Sequence, residues 1–221
     1  MTTCICHGQF GCLFVNKVLR TAIVISATVL SPQASASGPT SYFNQELAAV
    51  APGGTIQIDL RNQGNTQVRM GVFSGEAIVD LNSDTLLYKM GISDPFALYG
   101  GLGITTDPSG TATTTLVFGA AYTYRGENLI FNVNPVMSNV GADSRVDVNL
   151  GLYVPLSPGK SYPGRLLPGI SVYAPVTPSA DATVLLGLRW EVKANVTLEA
   201  GLYNSSNGLQ FPGLFRINLV L

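Results

Sequence analysis

Apolar and polar residues alternate along nearly the whole chain after Thr55, and this period of two restricts the fold more than any other sequence feature. The alternation is clearest in residues 146–154, 183–192 and 215–221. Successive side chains of a β-strand point to opposite faces, so the pattern predicts strands with one apolar and one polar face. We therefore expect residues 55–221 to form an all-β domain.

Two architectures contain strands of this kind. The apolar faces meet inside a soluble β-sandwich, whereas they contact lipid in a transmembrane β-barrel. The second face favours the barrel because small residues suit its concave side. The glycines of that face are Gly71, Gly91, Gly101, Gly103, Gly119, Gly151, Gly187 and Gly201. Charged residues make up only 11% of the chain, against a usual share of about 25%. The sequence thus predicts a closed antiparallel up-and-down barrel, with a secreted sandwich as the alternative.

Turn-forming clusters divide residues 55–221 into twelve segments, although the division between the second and third is weak and ten strands are an alternative. Twelve strands of about ten residues leave roughly four residues for each connection. The even-numbered connections are short, as expected for periplasmic turns, except the eighth at Ser157–Leu166. The eleventh, at Asn204–Pro212, is predicted to be one of the longer loops.

Residues 1–36 have the order of a secretory signal peptide. Lys17 and Arg20 precede an apolar run at residues 21–30, and Ala34-Ser35-Ala36 follows. The run is too short to span a bilayer as a helix, which needs about 20 residues. We expect cleavage after Ala36; a start of translation near Val15 would give a leader of more usual length, and an N-terminal core helix is the alternative.

Cleavage at that point removes every cysteine and the single histidine, which are Cys4, Cys6, His7 and Cys12. The remaining chain then has no disulfide, no Cys nucleophile, no His-based triad and no His/Cys zinc site. It keeps ten basic and thirteen acidic residues, a net charge of −3 that does not suit a nucleic-acid partner. We expect no cofactor, no metal and no enzymatic activity.

Residues 37–54 contain the one helical candidate. Phe43, Leu47 and Val50 have helical spacing, Ser41 is a possible cap, and Pro52 begins a stop signal. The sequence predicts a short helix that lies in the periplasm or enters the lumen.

The chain resembles the small Gram-negative outer-membrane β-barrel proteins in a broad, porin-like sense. The resemblance rests on the leader, the amphipathic strands and a last strand, residues 215–221, that runs to the final residue. It implies that the C-terminal strand is an assembly signal, with outer-membrane lipid and the barrel-assembly machinery as partners. Enzymes of this architecture use histidine, which residues 37–221 lack.

The polar faces carry charges of both signs that we expect to point into the lumen. They are Asp59, Arg61, Arg69, Lys89, Asp147, Arg189, Glu191, Glu199 and Arg216. Glu191 and Glu199 form a possible carboxylate pair for hydrolysis, but ion pairing with nearby arginines is the commoner role of such residues. Tyr122, Tyr124 and Trp190 are predicted interfacial aromatics on the lipid face.

These charges fit either a salt-bridged plug or a ring around a narrow aqueous pore. Twelve strands leave room for a channel, whereas side chains fill an eight-stranded barrel. We favour passive diffusion of small solutes or ions. The alternatives are a non-pore structural or adhesin-like membrane barrel and a secreted, soluble binding protein.

Overall fold

A computed structural model of the chain describes residues 40–43, 45–62, 65–106, 112–139, 144–156, 164–178, 180–205 and 208–221. All of them belong to one compact unit, residues 35–221. The predicted signal peptide, residues 1–36, lies outside the described residues. None of the helical structure in the described ranges is long and apolar enough to cross a membrane.

Fourteen strands account for nearly all of the regular structure. Two of them, β1 (Ser41–Tyr42) and β2 (Gln45–Glu46), form a separate two-stranded hairpin. The other twelve are β3 (Ile56–Arg61), β4 (Thr66–Val72), β5 (Gly75–Asp80), β6 (Thr85–Ser93), β7 (Phe96–Thr106), β8 (Ala112–Arg125), β9 (Ile130–Ser138), β10 (Arg145–Tyr153), β11 (Arg165–Thr177), β12 (Thr183–Lys193), β13 (Val196–Ser205) and β14 (Gly208–Val220).

Strands β3 to β14 form one closed antiparallel barrel in which each strand pairs with the next along the chain. The ring closes where β14 pairs with β3, for example Leu219 with Ile58. The expected twelve-strand up-and-down barrel is therefore confirmed, and the ten-strand and sandwich alternatives are wrong. The weak division falls at Phe73 and Ser74, a two-residue turn between β4 and β5.

The start of β3 and the end of the chain lie at the same end of the barrel, here called the terminal end. Ile56 and Leu221 exchange backbone hydrogen bonds of 3.3 and 2.8 Å there. Turns of two residues connect β4 to β5, β6 to β7 and β12 to β13 at this end. The connection from β10 to β11 is longer, as expected.

The prediction of a long eleventh connection is wrong. Strand β13 continues to Ser205 and β14 begins at Gly208, so much of the segment expected to be a loop is paired strand. Gly208, the first residue of β14, has a φ of +93°, which a residue without a Cβ adopts at no steric cost. The glycine and the proline of this segment, Gly208 and Pro212, therefore belong to β14.

The barrel wall is apolar outside and charged inside, the reverse of a soluble protein. On β12, Leu186 and Leu188 are 53% and 43% exposed, whereas Arg189 is 1% exposed. The same contrast recurs around the ring, with exposed apolar side chains on strands from β3 to β14. Such an outer surface is suited to contact with lipid, because large exposed apolar patches are rare on soluble monomers.

The helix expected within residues 37–54 is not formed in residues 40–43 and 45–54, which the structure describes. Strands β1 and β2 pair instead, with Ser41 opposite Glu46 and Tyr42 opposite Gln45. Phe43 has a φ of +42° in the turn between them. Hydrogen bonds to the surrounding wall stabilise this conformation, and they replace the hydrogen bonds that a helix would make within itself.

Candidate functional site: the occupied lumen

The hairpin and the residues after it occupy the inside of the barrel. We call residues 40–51 the plug. Eight of its eleven described residues are buried, at 0–3% exposure, namely Thr40, Ser41, Tyr42, Phe43, Gln45, Leu47, Ala48 and Ala51. A segment this short can be buried so completely only because the wall surrounds it.

Backbone groups of the plug bond to side chains of the wall. The N–H groups of Phe43, Ala48 and Ala51 donate to Glu199 (3.1 Å), Thr123 (2.8 Å) and Glu76 (3.1 Å), respectively. These partners lie on β13, β8 and β5, and therefore on widely separated strands.

Two further contacts join the plug to the remaining side of the wall. The hydroxyl of Tyr173, on β11, donates to the carbonyl oxygen of Phe43. The side-chain amide of Gln45 donates to the carbonyl oxygen of Leu150, on β10, at 2.9 Å. Because at least five strands hold the plug, it can leave the lumen only if many hydrogen bonds break together.

An aromatic cluster fixes the tip of the plug. The ring centroids of Tyr42 and Phe43 lie 5.0 and 5.5 Å from that of Tyr153, on β10. The guanidinium of Arg189 lies 4.6 Å above the ring of Tyr42, within the range of a cation–π interaction. The buried cluster also contains Leu47 of the plug and four wall residues, Ile130, Leu167, Leu185 and Leu214.

Glu46 is the only charged residue of the plug, and two cations of the wall bind it. Arg69 Nη2 lies 2.5 Å from its Oε1, and Arg69 Nη1 lies 2.9 Å from its Oε2. Lys89 Nζ lies 2.9 Å from the same Oε2. Glu76 contacts both cations from the wall, at 2.9 Å from Arg69 and 3.2 Å from Lys89.

Asp59 extends these ion pairs to the other side of the barrel seam. Its Oδ2 lies 3.3 Å from Arg69 Nε and 2.6 Å from Arg216 Nη2. Arg216 Nη1 in turn lies 3.3 Å from Oε2 of Glu199. All four side chains are at most 1% exposed.

Arg189 connects the network, through Glu191, to Arg165 on β11. It pairs with Glu199 and, at 3.3 Å, with Glu191. Glu191 also accepts a 2.7 Å hydrogen bond from Arg165 Nε. Glu191 and Glu199 thus share an arginine, which is an ion-pair arrangement, as the sequence suggested. The charges form one connected network from Lys89 to Arg165.

The neighbouring cations determine the protonation of Glu46. Burial alone would raise the pKa of this carboxyl group, but the charges of Arg69 and Lys89 and their hydrogen bonds outweigh burial. The pKa of Glu46 therefore lies below the ordinary value of a glutamate. Glu46 is ionised at neutral pH.

Several inner-face glycines leave room for the plug. A Cβ atom on Gly71 would lie 2.8 Å from the carbonyl oxygen of Ala51, and one on Gly187 would lie 2.6 Å from the Phe43 ring. A Cβ atom on Gly151 would lie 2.5 Å from Oε1 of Gln45. The small residues predicted from barrel curvature thus have a second cause, which is close approach of the plug.

The structure brings most of the predicted lumen residues together. Seven are buried in the network, namely Asp59, Arg69, Lys89, Arg189, Glu191, Glu199 and Arg216. Arg61 joins the network at its edge, 3.9 Å from Asp59, with 15% of its side chain exposed. The side chain of Asp147 is 21% exposed. Asp147 pairs with Arg145 instead of joining the network.

Three members of the network were not predicted. Glu46 lies in the segment expected to be helical, and Arg165 lies in the segment expected to be a loop. Glu76 was missed because Ile78, on the same inner face and 1% exposed, obscures the alternation in β5. Only the alternation of Glu76 with Ala77 could have indicated its position.

The predicted interfacial aromatics lie on the outer face near the terminal end. Tyr122 and Tyr124 are close to the end of β8, and Trp190 is close to the end of β12. All three are exposed. Their position at a lipid interface stays a prediction.

A cavity of about 750 Å³ opens at the terminal end, between plug residues 48–50 and the hairpin that joins β6 to β7. Asp94 and Arg125 are among its lining residues. Within the described ranges, no group of three His, Cys, Asp or Glu side chains could hold a metal ion.

Comparison of the chain with protein-family models, with curated proteins and with solved structures finds no match. The functional argument therefore rests on the site itself.

Proposed function

We propose that the protein is an outer-membrane β-barrel that forms a narrow, porin-like channel, closed by its own plug. The observation that carries this proposal is the contrast between an apolar outer surface and a charged interior that the plug fills. In an outer membrane, the terminal end would face the periplasm, as it does in barrels with short periplasmic turns.

The composition of the inner wall supports a channel. Six basic and four acidic side chains of the wall belong to the ion-pair network. A barrel whose interior serves only stability does not need these charges. Well-packed apolar residues stabilise an interior as well as buried ion pairs do, or better. Small solutes or ions could cross such a lumen after the plug has moved.

The second candidate function is a permanently closed barrel with a structural or adhesin-like role. The hydrogen bonds that anchor the plug to strands around the wall favour it. The two candidates differ in one property, which is whether current flows when the plug is released.

Planar-bilayer recordings test this difference. The release variant Phe43→Ala/Glu46→Gln removes the aromatic tip and the plug charge. The matched control Phe73→Ala/Glu127→Gln makes the same chemical changes at exposed positions in two terminal-end turns. We expect discrete current steps from the release variant and an essentially closed state for the wild type and the control.

Two results would contradict the channel with a plug. Steady open steps from the wild type would show that the plug does not close the lumen. If a release variant that is folded, as judged by heat-modifiable migration on a gel, carries no current, only the permanently closed barrel remains as a candidate function. Recovery of the wild type in the soluble cell fraction would contradict a membrane location.

A further inference from the structure

The carboxylate of Glu46 is held in the way that a bound ligand is held. Each of its oxygens accepts a hydrogen bond from the fork of Arg69, at 2.5 and 2.9 Å, and Lys89 donates a third at 2.9 Å. Paired donation from a guanidinium matches the planar shape of a carboxylate. The two cations are at most 1% exposed.

Wall residues orient both donors, although Thr40 of the plug also accepts from Arg69 at 3.4 Å and from Lys89 at 3.1 Å. Arg69 Nε is oriented by Asp59 at 3.3 Å, and Arg69 Nη2 donates to Gln67 at 2.6 Å. Glu76 holds Arg69 and Lys89 side by side. The site would therefore keep its shape after Glu46 has left.

The charge of the network also changes when the plug leaves. With Glu46 present, six basic side chains face five acidic ones. Without Glu46, six basic side chains face four acidic ones. Arg69 and Lys89 lose a partner in a place with little access to water, where an unpaired charge is costly. An anion that binds there restores the lost interactions.

We propose that Arg69 and Lys89 form a carboxylate-binding site on the lumen wall, that Glu46 occupies it as an internal ligand, and that the permeating solutes are small anions with a carboxylate group. This inference rests on the proposed channel function and names its solute class. The plug thus competes with the solute for one site, so closure and selectivity share the same two residues.

Acetate is a suitable probe, because Glu46→Ala leaves a gap for one small carboxylate. Thermal unfolding of the full chain in detergent is compared in sodium acetate and in sodium chloride at equal ionic strength. The wild type, whose site is occupied, is one control. The second is Glu46→Ala/Lys89→Met, which lacks one of the two cations.

Acetate should stabilise only the Glu46→Ala variant. With a dissociation constant of about 10 mM, 100 mM acetate would favour the folded state roughly tenfold over chloride. Equal unfolding of folded Glu46→Ala in both salts would overturn the site. So would equal stabilisation of all three proteins, because that would be a general effect of the salt.

A second measurement does not depend on the folding of Glu46→Ala. Ala48→Cys places a reporter thiol at a buried plug position, in a chain whose Cys4, Cys6 and Cys12 are replaced by serine. Acetate that competes with Glu46 should increase the rate of thiol labelling severalfold over chloride. An unchanged labelling rate up to 0.5 M acetate would contradict competition.

The outcomes separate this inference from the channel itself. If acetate stabilises Glu46→Ala but the release variant carries no current, the carboxylate site is supported and the channel function is contradicted. If the release variant carries current but acetate has no effect, the channel function is supported and the carboxylate site is contradicted. If both hold, the reversal potential of the release variant in a potassium acetate gradient should show that anions permeate better than cations.

Discussion

The backbone N–H of Phe43 donates a 3.1 Å hydrogen bond to Oε2 of Glu199, a residue 156 positions further along the chain. The same oxygen faces Arg216, and the other oxygen of this carboxylate pairs with Arg189. One buried side chain thus connects the plug with three neighbouring strands. Barrel closure and plug placement therefore depend on the same charges.

Replacing Glu199 should be among the most destabilising single changes. Glu199→Gln leaves Arg189 and Arg216 short of a negative partner inside the barrel, and breaking a buried ion pair costs about 3–5 kcal/mol. The matched control is Asp147→Asn, in a pair with the exposed Arg145, where we expect about 0–1 kcal/mol. The free energy of unfolding, measured by urea titration in lipid vesicles, checks both. Equal costs would contradict a buried network.

The same substitution at two glycines should have different effects. Gly187→Ala places a Cβ atom 2.6 Å from the Phe43 ring, whereas Gly91→Ala places one 3.6 Å from Val50, an ordinary contact. We expect Gly187→Ala to lower the free energy of unfolding by about 1–3 kcal/mol and Gly91→Ala to change it by about 0.5 kcal/mol or less.

Chymotrypsin provides an independent measurement of plug position for these two variants, because it cleaves after aromatic residues such as Tyr42 and Phe43. Cleavage should be faster in Gly187→Ala than in Gly91→Ala or the wild type. If Gly91→Ala is cleaved as fast as Gly187→Ala, the plug does not lie against β12 as described.

The ion pairs of Glu46 predict a specific pH dependence. Because the folded-state pKa of Glu46 is lowered, its stabilisation is complete above the unfolded pKa of about 4.3 and is lost as the pH falls. The difference in unfolding free energy between wild type and Glu46→Gln should be constant near neutral pH. Below about pH 4, it should decrease by about 1.4 kcal/mol per pH unit. A difference that does not change down to about pH 3 would contradict the pairing.

The barrel could be predicted from the sequence because strand alternation is local. The outer and inner faces of β12 can be told apart from Leu186, Leu188 and Arg189 alone, without knowledge of any partner strand. Closure of the ring follows from the strand count and from the small inner residues. The seven buried charges were found for the same reason, since each lies on the polar face of an alternating segment.

The plug could not be predicted because its conformation depends on its surroundings. Phe43 and Leu47 have helical spacing in the sequence, but the backbone of Phe43 bonds to wall strands far away in the chain. The N–H of Leu47 bonds across the hairpin to the carbonyl oxygen of Thr40 and not in a helical pattern. The spacing was therefore correct as a pattern of buried residues and wrong as a sign of a helix. Glu46 belongs to the site only through Arg69 and Lys89, a relationship that no local pattern contains.

The outer surface gives the clearest test of a membrane location. Leu188 lies in the middle of the apolar face of β12, and Leu209 lies at the hairpin between β13 and β14; both are exposed. In a bilayer, Leu188→Arg should cost about 2–4 kcal/mol, because a charge near the midplane is poorly solvated, whereas Leu209→Arg should cost about 0–1 kcal/mol. In water, both changes would add a charge to an exposed position at little cost. Urea titration of both variants in lipid vesicles distinguishes the two surroundings, and equal, small costs would contradict contact between β12 and lipid.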